Sequence, residues 1–171
     1  MTQAEMPQKD ENHLKQAAQC WDKGESWEAG KLIYENLPNS VRPRWAGRIL
    51  KLVLEESGVQ SPLFSQVLAI AGNESMWKCI RPVFSSLRQM TLQLDENRRG
   101  SGLTKDEELL ASIVFLAELV AKVTYNATNP ADEFDEDSGW WIATSLRWFV
   151  DHAWTEERFS EAAWSALRTC E

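Results

Sequence analysis

The chain has 171 residues, 43% of them hydrophobic and 26% charged, and a formal net charge of −8. That length suits one domain able to bury roughly 70% of its unfolded surface, and the composition excludes general disorder. The most apolar run, Leu109 to Ala121, is broken by Glu118 and falls short of the ~20 residues that cross a bilayer, so no membrane partner is expected.

Helix punctuation recurs along the chain, whereas alternating strand patterns are almost absent. Residues 1–9 read as a flexible tail and 10–171 as a single helical domain. A first helix is expected from about Asp10 to Lys23, ending at Gly24, and a second from Ser26 to before Pro38. Ser40 and Pro43 open a third that ends at Gly58, and Ser61-Pro62 open a fourth that stops near Gly72. Asn73 begins a fifth segment in which Pro82 must kink or restart the helix, because proline lacks an amide donor and clashes with the preceding turn. Asn97-Arg-Arg-Gly-Ser-Gly102 reads as the internal loop, over 97–103.

Thr104 and Glu107 have capping-box spacing and start a sixth helix near 105–127. It is apolar on two adjoining faces, Leu109, Ile113, Leu116, Val120 and Val123 on one, and Leu110, Val114, Ala117 and Ala121 on the other. It should therefore lie at the centre. Glu118 and Lys122, four apart, are expected to pair on its polar side. A seventh helix comes next, from about Ser138 to Ala153, with Ile142, Leu146, Phe149, Val150 and Ala153 as its inner stripe. Thr155-Glu-Glu opens an eighth. The expected fold is all-α, a compact array of seven or eight helices.

Within the first hairpin, Lys23-Gly24, Trp27, Ala29, Tyr34 and Pro38 are similar to positions of a tetratricopeptide repeat. The similarity covers that hairpin alone: 34 residues on, Gly58 is followed by Leu63 where a small residue is wanted. It implies only a helix pair packed through a small residue.

Charge is unevenly spread. Residues 106–171 hold four basic and fourteen acidic side chains, which disfavours nucleic acid as a partner. The one basic cluster, Arg42, Arg44, Arg48 and Lys51, reads as a solvated helix face. Asp132, Glu133, Asp135, Glu136 and Asp137 precede Trp140 and Trp141. Asp137 or Ser138 is the expected cap of the seventh helix, with Asp135 and Glu136 near its positive end. An EF-hand loop is excluded, since Gly139 at the sixth place puts Phe134 first and Ser145 twelfth. A looser cation site would use Asp132, Asp135 and Asp137.

No GxSxG, P-loop, GxGxxG or HExxH occurs, and His13 and His152 are isolated. A carboxylate enzyme would have to pair Asp135 with Glu118 or Asp151. Cys20, Cys79 and Cys170 are odd in number and form no CxxC, and the start MTQAEMPQKDEN has no apolar core for a secretory signal. Both point to a reducing, cytoplasmic compartment.

Nine tryptophans are many for this length. Trp21, Trp27, Trp45, Trp77, Trp154 and Trp164 are assigned to helix packing. Trp141 and Trp148 share a face with Ser145 and His152, whereas Trp140 points elsewhere with Arg147, so the three cannot all be central. The expected function is that of a non-enzymatic interaction protein with no cofactor. Glu133, Asp135, Trp140, Trp141 and Trp148 would bind a basic protein partner, tryptophan beside charge being a common anchor for arginine. Ion or small-molecule binding and carboxylate-dependent catalysis are the alternatives.

Overall fold

A computed structural model describes residues 8–129, 137–154 and 157–169. Eight α-helices account for most of them: α1 Gln8–Asp22, α2 Ser26–Asn36, α3 Arg42–Ser57, α4 Pro62–Gly72, α5 Ile80–Gly100, α6 Lys105–Thr128, α7 Ser138–Trp148 and α8 Glu157–Arg168. No strand occurs among the described residues. The fold is all-α, as the helix punctuation implied.

Helix α6 packs against α3, α4, α5 and α7, which makes it the centre of the array. Ile113, Val114, Leu116, Ala117, Val120, Ala121 and Val123 are all buried along it. Full burial of each larger aliphatic contributes about 1.5–3 kcal/mol. Its start is secured by Thr104 and Glu107 acting reciprocally: Thr104 N–H donates to Glu107 Oε2 at 2.7 Å and Glu107 N–H to Thr104 Oγ1 at 3.2 Å.

Four expectations need correction. The loop placed at 97–103 is shorter, because α5 continues through Gly100. Arg98 bonds Asp95 within the helix at 3.0 Å and Glu108 of α6 at 2.8 Å, and these ties hold the last turn despite its composition. The chain reverses only at Gly102, whose φ of 79° suits a residue without Cβ. Pro82 does restart the fifth segment: Glu74–Cys79 is a 3₁₀ turn, and Pro82 falls in the first turn of α5, where a missing donor does little harm.

Asp137 occupies the N-cap position of α7 but makes no side-chain cap bond, and Ser138 lies inside the helix. At φ −85° and ψ −3° the Asp137 backbone is already near-helical, whereas a capping side chain needs extended backbone to reach the amides ahead of it. The basic cluster is a solvated face only in part: Arg44 and Lys51 are exposed, but Arg42 and Arg48 are not free. Arg42 lies over the Tyr34 ring at 4.2 Å, and Arg48 donates to Thr169 Oγ1 at 2.8 Å and Thr169 O at 3.3 Å, satisfying the end of α8. Trp45, wholly buried, donates Nε1–H to Leu167 O at 2.8 Å.

The largest departure concerns Glu118. It is 3% exposed, and its partner is Arg88 of α5, Nη1 to Oε1 at 2.9 Å, with Thr91 Oγ1 donating to Oε2 at 2.8 Å. Lys122 is not the partner this carboxylate uses. Helix α5 packs directly on α6 and brings two donors from one face, Arg88 and Thr91, to a carboxylate that local spacing alone would leave at the surface.

Candidate functional site

Helix α7 is positioned by glycine. A Cβ at Gly30 of α2 would stand 2.5 Å from Ala143 Cβ and 3.1 Å from Gly139 O, and one at Gly139 would fall on the Tyr34 ring, so α7 lies directly on the α2 backbone at Gly30 and under the Tyr34 ring at Gly139. This close approach sets Trp27 of α2 against both tryptophans at the head of α7. Its ring centroid is 5.0 Å from Trp140 and 5.1 Å from Trp141, each edge to face. Trp141 in turn meets Phe115 of α6 at 6.3 Å, and Lys31 Nζ stands 5.1 Å over the Trp140 ring.

Trp141 and Phe115 are 40% and 39% exposed, large for aromatic residues, and Trp27 is half-buried beside them. Trp140 is half-buried, and its Nε1 is enclosed without a hydrogen-bond partner among the described residues. Trp27, read from the sequence as ordinary packing, is thus the inner member of an aromatic cluster that surfaces at Trp141. Only the α2–α7 crossing reveals this.

On the other side of Trp141 a groove of about 460 Å³ opens between α5, α6 and α7. Arg88, Thr91, Leu94, Asp95 and Arg98 form its α5 wall, and Ala111, Ser112 and Phe115 come from α6. Helix α7 contributes Trp141, Thr144, Ser145 and Trp148, followed by Phe149. The groove exists because four small residues, Ala111, Ser112, Thr144 and Ser145, lie between aromatic walls. Trp141 and Trp148 do share this face with Ser145, as their spacing implied. Thr144 Oγ1 is enclosed and makes no hydrogen bond among the described residues.

Just beyond the groove, Phe149–Ala153 forms a π turn in which Trp154 N–H reaches back to Phe149 O at 2.8 Å. The wide turn stacks Trp154 on Phe149, centroids 4.9 Å apart, and His152 on Trp148 at 5.5 Å. Single π turns inside α-helices are found frequently beside functional sites.

At one end of the α5 wall, the hydrogen bond from Arg98 holds the Glu108 carboxyl below the usual carboxylate range, and the same bond raises Arg98. At the other, Arg88 rests on Glu118, both of whose oxygens are occupied. Asp151, a candidate acid, is taken up by Arg147 at 3.0 Å, and Arg147 also lies 5.2 Å over the Trp21 ring. Arg147 therefore reaches into the α1 contact, where it also donates to Trp21 O at 3.0 Å.

Asp132, Glu133, Asp135 and Glu136 lie outside the described residues, as do Thr155 and Glu156. Among the described residues no three His, Cys, Asp or Glu side chains gather into a metal-binding group, and no helix is long and apolar enough to cross a membrane. Comparison with known proteins gives no match to a family model, to a curated protein or to a solved structure.

Proposed function

We propose that this chain is a non-enzymatic binding protein that receives a basic protein partner on the tryptophan-rich surface at the head of α7, in a cytoplasmic setting. The observation that carries the reading is the Trp27–Trp140–Trp141 cluster, which reaches the surface at an exposed Trp141 beside an exposed Phe115. Large rigid aromatics at a surface supply contact area at low entropic cost and are enriched at protein interfaces. The acidic run that includes Glu133 and Asp135 enters α7 immediately before Trp140, so charge for steering and rings for anchoring are adjacent in the chain.

Catalysis is disfavoured by the employment of the candidate acids: Glu118 is satisfied by Arg88 and Thr91, and Asp151 by Arg147. Nucleic acid is disfavoured because Arg42 and Arg48 are spent on internal contacts. The test is affinity capture from the native cell, followed by association kinetics of the captured protein with the wild type and with Glu133→Gln/Asp135→Asn at two salt concentrations. Slower association of the double variant, with the difference shrinking at high salt, supports the reading. An association rate that is unchanged and indifferent to salt overturns it.

A further inference from the structure

The groove behind Trp141 shares Trp141 and Phe115 with the docking surface and adds to them a concave floor and an arginine. It is concave, walled by Phe115, Trp141, Trp148 and Phe149, and its volume of about 460 Å³ lies within the range of small-molecule sites, roughly 300–1,000 Å³. Along α5 it extends from Arg88 to Arg98, ten residues and about 15 Å of helix. Its two ends are electrostatically unlike. At Arg98 the guanidinium is shared by two carboxylates, Glu108 at 2.8 Å and Asp95 at 3.0 Å, so that end repels an anion.

At Arg88 one guanidinium meets one carboxylate, so this end is neutral where the other is net negative. One guanidinium nitrogen, Nη1, is fixed to Glu118 from below, and both oxygens of that carboxylate are already engaged. The Arg88 side chain is nonetheless 57% exposed, and its remaining N–H groups meet no acceptor among the described residues. A guanidinium braced on one edge and open on the other is a ready-made fork for a second carboxylate. We propose that the groove binds a small planar apolar carboxylate, its ring lying between the aromatic walls and its oxyanion on the free edge of Arg88. The site adjoins the surface proposed for a protein partner and shares Trp141 and Phe115 with it.

The test compares two matched probes, 1-naphthoate and the neutral 1-naphthamide, by calorimetric titration of the full chain. The wild type should bind 1-naphthoate about tenfold more tightly, the difference expected of one charge-assisted hydrogen bond. Arg88→Gln/Glu118→Gln, which removes both charges together and so leaves no buried ion unpaired, should abolish that preference while 1-naphthamide still binds. Arg88→Lys, which keeps the ion pair but not the fork, should reduce it and serves if the double variant fails to fold. Ser145→Phe, which fills the groove from α7, should exclude both probes. Equal binding of the two probes, absence of binding, a preference that survives loss of the Arg88 fork, or binding unaffected by Ser145→Phe would each overturn the proposal.

Discussion

The two sides of α7 use small residues in opposite ways. Towards α2, Gly139 faces Gly30 and Tyr34, and the helices approach until a single added methyl has nowhere to go. Towards α5 and α6, Thr144 and Ser145 face Ala111 and Ser112, and the result is an open groove. A small residue opposite a bulky or close partner makes a seam, whereas one opposite another small residue, between large neighbours, leaves a space. The seam is where stability is expected to concentrate and the groove where binding is.

Substitution should separate the two sides by magnitude. Gly139→Ala presses a methyl onto Tyr34 and is expected to cost about 3 kcal/mol, the upper range for overpacking a dense interior, read as a lowered urea midpoint. Loss of less than a third of that would mean that α2 and α7 slide apart easily and that the seam is not tight. Next, Arg88→Ala strands the Glu118 carboxylate. Because Arg88 is half open to solvent, the expected loss is about 2 kcal/mol, below the value for a fully enclosed pair. Replacing both residues by leucine should restore most of it, and a double-mutant cycle measures the coupling.

On the groove side the sign reverses. Thr144→Val removes an enclosed hydroxyl that makes no hydrogen bond among the described residues, and thermal denaturation should show a gain of about 1 kcal/mol. A loss of stability instead would mean that the hydroxyl has an acceptor after all. Smallest of all, Glu133→Gln/Asp135→Asn should shift stability by no more than ~0.5 kcal/mol, the usual scale for surface charge changes. A larger loss would give these carboxylates a folding role and weaken the reading of them as steering charges.

Where sequence reasoning succeeded, the signal was local. Thr104 and Glu107 announced the start of α6, and the two apolar faces of that helix announced its central place, because capping and periodicity depend on neighbours three or four residues away. Where it failed, the deciding partner was distant. Glu118 is buried because Arg88 and Thr91 arrive from another helix, and Arg48 is occupied because the end of α8 lies beside it, more than a hundred residues further on. Trp27 joined the candidate site through a crossing set by Gly30 and Gly139, neither of which breaks its helix. The similarity to a tetratricopeptide hairpin marked Ala29, which is wholly buried, whereas α7 is admitted by its neighbour Gly30, which the similarity did not mark.

The π turn at Phe149–Ala153 has a consequence for how this chain tolerates insertion and deletion. The π turn is the last turn of the helix: it holds one residue more than an α turn, and Trp154 then leaves with extended backbone, φ −135° and ψ 92°, in a direction rotated by about 100° from that of a helix one residue shorter. Trp154 lies on the Phe149 ring because of that rotation. Deleting a single residue within Val150–Ala153 would let α7 run on as a regular helix and swing Trp154 off Phe149. The ring packing of Trp154 with Phe159 of α8, 4.9 Å away, would go with it. Length in these five residues is therefore expected to be more tightly constrained than their identity. Asp151 and His152 are exposed, so replacing them is expected to cost only their surface contacts with Arg147 and Trp148, while the number of residues sets the direction in which Trp154 leaves the helix.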